Sequence, residues 1–101
     1  MGWVPGGNHT NPEAGKVLAE TGAYTSAGIA VYVSFIVGWT GAGPPEIILR
    51  AGLNEHIFNP SQTPFVCPPV GPFYVGLGQT VRLSNRNAYV GDLYVSLFVS
   101  P

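Results

Sequence analysis

The sequence predicts a single all-β domain, an antiparallel sandwich or jelly roll of about eight short strands with an extended N-terminal arm. Three observations support this prediction. Apolar residues alternate with other residues over most of the chain, which is the periodicity of strands. The 14 Gly and 10 Pro residues lie between the apolar runs, where they favour turns. No long stretch repeats its apolar residues with the spacing of an amphipathic helix.

The elements follow in order along the chain. Residues 1–15 contain Gly, Asn, His, Thr and Pro with little periodicity, and we interpret them as an extended arm. Residues 16–101 are predicted to form the sandwich. Its clearest strand is Ile29–Val37, where β-branched and aromatic residues occupy every second position. The other predicted strands lie between turn signals, at Lys16–Tyr24, Glu46–Ala51, Glu55–Phe58, Phe65–Cys67, Phe73–Leu77, Thr80–Leu83 and Tyr89–Val99.

The low charge of the chain excludes some functions and favours another. Only 9% of the residues are charged and the net charge is −1, against about 25% charged residues in an ordinary soluble domain. Without a cluster of Lys and Arg, we expect neither nucleic-acid binding nor attraction to an anionic membrane. We also expect synthesis in a cytoplasm, because the N-terminal residues have no signal-peptide pattern. A chain with so few charges is predicted to hide much of its surface in an assembly.

The two strongest predicted strands carry no charge within Ile29–Val37 and Leu93–Val99. In these two segments the positions that should face water are Ala30, Tyr32, Ser34, Ile36, Tyr94, Ser96 and Phe98, which are aromatic, aliphatic or small. If these strands are neighbours, the apolar patch would exceed what soluble monomers usually expose. Either a loop or the N-terminal arm covers it within one subunit, or another subunit does. The residues that we predict to form the interface are Trp3, Val4, Tyr32, Ile36, Trp39, Tyr94 and Phe98.

No residue pattern indicates catalysis or metal binding. His9 and His56 have no metal-ligand spacing with each other or with Cys67, which lies in an apolar segment and is predicted to be buried. No serine or cysteine is framed as an activated nucleophile. We therefore expect a protein that is not an enzyme, with no catalytic residues, no metal and no cofactor.

Several segments resemble the small jelly-roll proteins of tailed-phage virions, which include capsid decoration or cement proteins and tail or fibre modules. They are Ile29–Val37, Pro44–Gly52, Pro68–Leu83 and the closing strand to Pro101. The resemblance implies a structural subunit of the virion, made in the host cytoplasm. It would bind the major capsid protein, stabilise the phage head, and associate with itself, most often as a trimer.

A second function stays open from the residues themselves. The chain would then be a carbohydrate- or receptor-binding module of a tail or fibre. In that case Trp39 in its Gly-rich loop, or Tyr24 and Tyr89, would stack on a sugar ring. Both functions are binding functions, and they differ in which aromatic residues meet the ligand.

Overall fold

A computed structural model describes residues 2–101 of the chain. These residues form eight strands in two antiparallel sheets of four, which confirms the all-β sandwich. None of the described residues forms a helix that is long and apolar enough to cross a membrane. The strands are β1 (Gly2–Thr10), β2 (Val17–Glu20), β3 (Ile29–Trp39), β4 (Ile47–Ala51), β5 (Asn54–Phe58), β6 (Phe65–Val75), β7 (Val81–Asn85) and β8 (Asp92–Ser100).

The order of the strands follows a simple pairing rule. The first strand pairs with the eighth, the second with the seventh, the third with the sixth, and the fourth with the fifth. The chain is thus one long hairpin, closed by the β4–β5 turn and wound across both sheets. The front sheet has the order β1-β8-β3-β6, and the back sheet has the order β2-β7-β4-β5.

The core lies between the sheets and is built by the inward residues of both. In β3 and β8 every second residue is almost fully buried, as their alternation predicts. Phe35 packs edge-on against Phe58, with ring centroids 5.1 Å apart. Each fully buried Val, Leu, Ile or Phe stabilises the fold by about 1.5–3 kcal/mol. The largest fully buried side chains are Phe35, Ile47, Leu49, Leu83, Leu93, Leu97 and six valines, at positions 31, 33, 37, 75, 81 and 99.

The segment interpreted as an arm, residues 1–15, contains a strand in this structure. Residues 2–10 form strand β1, which pairs with residues 92–99 of β8. Met1 lies outside the described residues. A bulge interrupts the pairing between Pro5 and Gly7. At Gly6 a Cβ atom would lie 2.1 Å from Val95 Cγ2, so only glycine lets β1 approach β8 this closely. The glycines that obscure the strand periodicity in the sequence are therefore what the pairing requires.

Several strand boundaries differ from the sequence prediction, most of all in the first predicted strand and around the prolines. The first predicted strand, Lys16–Tyr24, is shorter and covers Val17–Glu20. Predicted strands Phe65–Cys67 and Phe73–Leu77 belong to one strand, β6, which continues through three prolines. Because β6 is an edge strand, the missing proline N–H groups leave no neighbour unpaired on its outer side.

Candidate interaction surface

The outer face of the front sheet is a continuous surface without charge. Strands β3 and β8 are paired neighbours, with Ser34 opposite Phe98 and Ile36 opposite Ser96. This pairing joins the outward positions of the two strongest predicted strands. We call this surface the uncharged face; its outward residues are Trp3, Pro5, Ala30, Tyr32, Ser34, Ile36, Val66, Tyr74, Tyr94, Ser96 and Phe98.

The large side chains at the centre of the uncharged face are only partly covered. Tyr32 is 41% exposed, Ile36 47%, Tyr94 44% and Phe98 49%. All four belong to the interface predicted from the sequence, and the sheet brings them together on one face. Their exposure means that each retains a large apolar area that a partner would remove from water.

Neighbouring strands extend the uncharged face to both sides. On one side Trp3 of β1 lies opposite Phe98 and is 63% exposed. On the other side β6 adds Val66, opposite Ile36, and Tyr74, opposite Ala30. Sequence reasoning missed Val66 and Tyr74, because it placed them in two separate short strands and did not predict that both pair with β3. The alternation of Val66 with buried Cys67 is the one local signal that could have placed Val66 outward.

The uncharged face has relief as well as apolar character. A hollow of about 250 Å³ is lined by the small residues Ser34 and Ser96 together with Trp3, Val66 and Phe98. A second depression, of about 700 Å³, lies beside Tyr94 and Trp3 and reaches Pro64. The face therefore carries both projecting rings and recesses between them.

Tyr94 is fixed by the residue beneath it. Its ring lies across Gly38 on the neighbouring strand, and a Cβ atom at Gly38 would be 2.6 Å from Tyr94 Cδ2. The absence of a side chain at this position thus lets the ring lie flat along the sheet. An aromatic ring over a cross-strand glycine is a recognised way of filling the gap that glycine leaves.

Two predicted interface residues lie elsewhere. Val4 and Trp39 are partly buried and pack against the core rather than projecting from the uncharged face. The backbone N–H of Trp39 donates a hydrogen bond to Thr63 Oγ1 at 3.1 Å. Tyr24 and Tyr89, the other candidate sugar-stacking rings, also pack partly against the core. The Tyr89 hydroxyl donates a hydrogen bond to the Gly43 carbonyl oxygen at 2.6 Å.

No described part of the chain folds over the uncharged face. Residues 2–10 lie beside β8, in the plane of the sheet, and widen the face instead of covering it. Within residues 2–101 the front-sheet side chains named above therefore remain exposed in the isolated subunit. The first of the two explanations, an internal cover, finds no support among these residues.

The back sheet has a different outer surface. Arg50 forms an ion pair with Glu55 across β4 and β5. Arg82 Nη1, in β7, lies 3.7 Å from Glu20 Oε2, in β2. Eight of the chain's nine charged residues lie in the back sheet or in the segments between strands, at Glu13, Lys16, Glu20, Glu46, Arg50, Glu55, Arg82 and Arg86.

The remaining charged residue is Asp92, the first residue of β8, at the end of the front sheet opposite Thr10. It lies at the rim of the uncharged face, beyond Tyr94, and is partly buried. Its backbone N–H donates a hydrogen bond to Thr40 Oγ1 at 3.0 Å. A carboxylate at this rim keeps contact with water when the face itself is covered.

The polar groups that sequence analysis considered for chemistry have structural contacts. His9 Nε2 donates to the carbonyl oxygens of Gly6 and Leu18, at 2.8 and 2.9 Å, and so ties β1 to β2. The His56 ring packs near Phe73, with centroids 5.2 Å apart. Burial raises the pKa of the Cys67 thiol, which disfavours the reactive thiolate. Among the described residues no group of three or more His, Cys, Asp or Glu side chains is placed to hold a metal ion.

Asn85 is a buried polar residue that sequence reasoning missed. Its Nδ2 lies 2.8 Å from the Glu13 carbonyl oxygen, 2.9 Å from that of Asn87 and 3.3 Å from that of Pro12. The amide therefore fastens the β1–β2 connection to the turn after β7. In the sequence it is one Asn in a polar turn, and only its burial distinguishes it.

No protein-family model matches the chain, and no curated protein matches it either.

Proposed function

We propose that the protein is a structural subunit of a virion, a capsid decoration or cement protein that associates with neighbouring subunits through the uncharged face. The single observation that carries this proposal is the segregation of charge. The exposed apolar rings lie on one sheet, while eight of nine charged residues lie away from it. A large apolar patch without charges is typical of protein–protein contact.

The composition of the uncharged face suits an adhesive role. Aromatic residues dominate protein interfaces energetically, and this face presents Trp3, Tyr32, Tyr94 and Phe98 together. Covering one such side chain fully contributes about 1.5–3 kcal/mol. Association costs about 4–15 kcal/mol in lost freedom, so several must be covered at once. No charge has to be desolvated in the process, which removes the main penalty of burying a surface.

The winding of the chain supports the assignment to a virion. We infer that the rule joining β1 to β8, β2 to β7, β3 to β6 and β4 to β5 is that of a jelly roll, a fold found in viral capsid proteins and in lectins. The resemblance noted in the sequence selects the virion among these. The proposed partners are the major capsid protein and further copies of this chain. Binding to the assembled shell would stabilise it by mass action.

Shell binding tests the proposal directly. The purified protein is mixed with empty capsids that lack it, the shells are pelleted, and their heat resistance is measured. We expect the protein to pellet in a fixed ratio and to raise the temperature at which the shells open. Shells that resist heat equally well with and without the protein would contradict the proposal.

A matched pair of variants assigns any shell stabilisation to the uncharged face. Ile36→Lys places a charge at its centre, and Ile57→Lys places one on the back sheet, where Ile57 is 44% exposed. The proposed function predicts that only the first variant weakens pelleting. Equal losses for both would show that the uncharged face has no special part in it.

The alternative, carbohydrate binding, makes a separate prediction. Sugar stacking needs a ring face open to solvent, and the three candidate rings pack partly against the core. A glycan array, followed by Trp39→Ala on any ligand found, measures this function. Binding that disappears in Trp39→Ala would favour the tail or fibre module over the cement subunit.

A further inference from the structure

We infer that the uncharged face binds the same face of a second copy of this chain, related by a two-fold axis. The two front sheets would lie against each other, giving a stack of four sheets with both back sheets outermost. The inference rests on the proposed function only for the use of this face as an association surface. It adds that the partner covering the uncharged face is a second copy of the chain.

The chemistry of the face restricts what can cover it. A partner that carried a charge opposite Ile36 or Phe98 would bury that charge without a counter-ion, which is strongly unfavourable. The partner surface must therefore be apolar and uncharged as well. Within residues 2–101 the sheet surface that meets this requirement is the uncharged face itself. The outer surface of the back sheet carries the Arg50–Glu55 and Arg82–Glu20 ion pairs.

The uncharged face has both projecting side chains and recesses, so the face of one copy can fit against the same face of another. It combines exposed rings, such as Phe98 and Tyr32, with the hollow that Ser34 and Ser96 line. Facing sheets pack about 10 Å apart with their side chains interdigitated. A two-fold axis near Ser96 would place large side chains of each copy over small residues of the other.

The size of the face reaches the threshold for a biological interface. Strand β8 has nine residues, which at about 3.4 Å per residue span roughly 30 Å. Four strands about 4.8 Å apart give a width of roughly 19 Å. The flat outline is then roughly 570 Å² per copy, or roughly 1,100 Å² for two, which exceeds the threshold of about 1,000 Å² for a biological interface. Projecting side chains add to this area.

Symmetry favours a pair over a trimer for this face. In a two-fold interface both copies use the same patch, whereas a three-fold ring needs two different complementary patches on each copy. The structure offers one large uncharged patch. The rim carboxylate of Asp92 lies at the end of the sheet, where it stays in contact with water in a face-to-face pair.

The native mass of the full chain, measured by sedimentation equilibrium over a range of concentrations, tests the inference. We expect a reversible species of twice the 10.6 kDa of one chain. Ser96→Asp should raise its dissociation constant at least tenfold, because it buries a carboxylate near the axis. Ser84→Asp is the matched control, since Ser84 is also partly buried and central in its sheet, but on the back. It should leave the dissociation constant unchanged.

Ile36→Lys and Ile57→Lys repeat the comparison with larger side chains, and circular dichroism checks that each variant is folded. Ser96→Asp removes no packed apolar group, so it decides the result if Ile36→Lys does not fold. A monomer at all concentrations, a trimer, or a dimer unaffected by Ser96→Asp would overturn the inference.

The shell experiment separates this inference from the proposed function. A monomer or trimer that pellets with shells would overturn the two-fold pair and leave the virion role standing. A dimer that is sensitive to Ser96→Asp but ignores shells would support the pair and remove the support for the cement role.

Discussion

The two sheets of this sandwich are alike on the inside and different on the outside. Strands β8 and β7 each bury alternate residues completely, and both supply the common core. Outward, β8 carries Tyr94 and Phe98, whereas β7 carries Arg82, ion-paired with Glu20. Folding requires the inner pattern of both strands and imposes much less on the outer one. The outer residues are therefore the better indicator of what the molecule contacts.

The largest expected effect tests the claim that the inner faces are equivalent. Leu97 of the front sheet and Leu49 of the back sheet are both fully buried. Replacing either one with alanine should lower the free energy of unfolding by about 2–5 kcal/mol, from lost burial and the cavity left behind. Urea denaturation of the two variants measures it. A small loss at one site alone would mean that the two sheets do not share one core equally.

A second prediction concerns Asn85, a buried polar residue on the inner face of the back sheet. Asn85→Ala removes the amide that contacts three backbone carbonyl oxygens, which would then lie buried without their partner. We expect a loss of about 1–3 kcal/mol in the free energy of unfolding. Asn87→Ala is a control on an exposed neighbour, and it should cost less. If the two variants cost the same, the Asn85 amide is not the tie that we describe.

Gly38 tests whether the shape of the uncharged face matters apart from its polarity. Gly38→Ala would push the Tyr94 ring away from the sheet, because the new Cβ would lie 2.6 Å from its Cδ2 atom. We expect about 1 kcal/mol of lost stability from this crowding, together with weaker self-association. Gly43→Ala is the matched control, since nothing lies within 4 Å of its Cβ position. Sedimentation of both variants would show unchanged association if only apolar character counts.

The smallest effect is expected on the charged side. Arg82→Gln breaks the ion pair with Glu20, whose side chains are 34% and 36% exposed. An exposed pair of this kind contributes about 0–1 kcal/mol, so the thermal unfolding midpoint should change little and less still at high salt. A large loss of stability would mean that the back-sheet charges support the fold itself.

What the sequence predicted correctly was local. The alternation in Ile29–Val37 places its own residues inward and outward without knowledge of any partner, so the strand and the outward Tyr32 and Ile36 follow directly. The all-β sandwich follows in the same way, from many such segments separated by turns.

What the sequence did not predict depends on partners distant in the chain. Residues 2–10 become a strand because β8 offers an open edge, and glycine at position 6 allows the approach. Strand β6 continues past Pro68 and Pro69, where the two prolines indicated its end, because the outer side of an edge strand needs no N–H donors. Val66 and Tyr74 belong to the uncharged face because β6 pairs with β3, opposite Ile36 and Ala30.

The prolines in the edge strands of the front sheet disfavour polymerisation by strand addition. Both edge strands of that sheet contain proline: Pro5 in β1, and Pro68, Pro69 and Pro72 in β6. An open strand edge can recruit a further strand, which presents a new edge in turn, so polymerisation by that route has no natural stop. Proline removes donors from such an edge and discourages recruitment. Association through a sheet face, in contrast, stops once the face is covered, because no new face of the same kind is exposed. Subunits at high concentration would thus be directed towards finite, closed contacts and away from fibres.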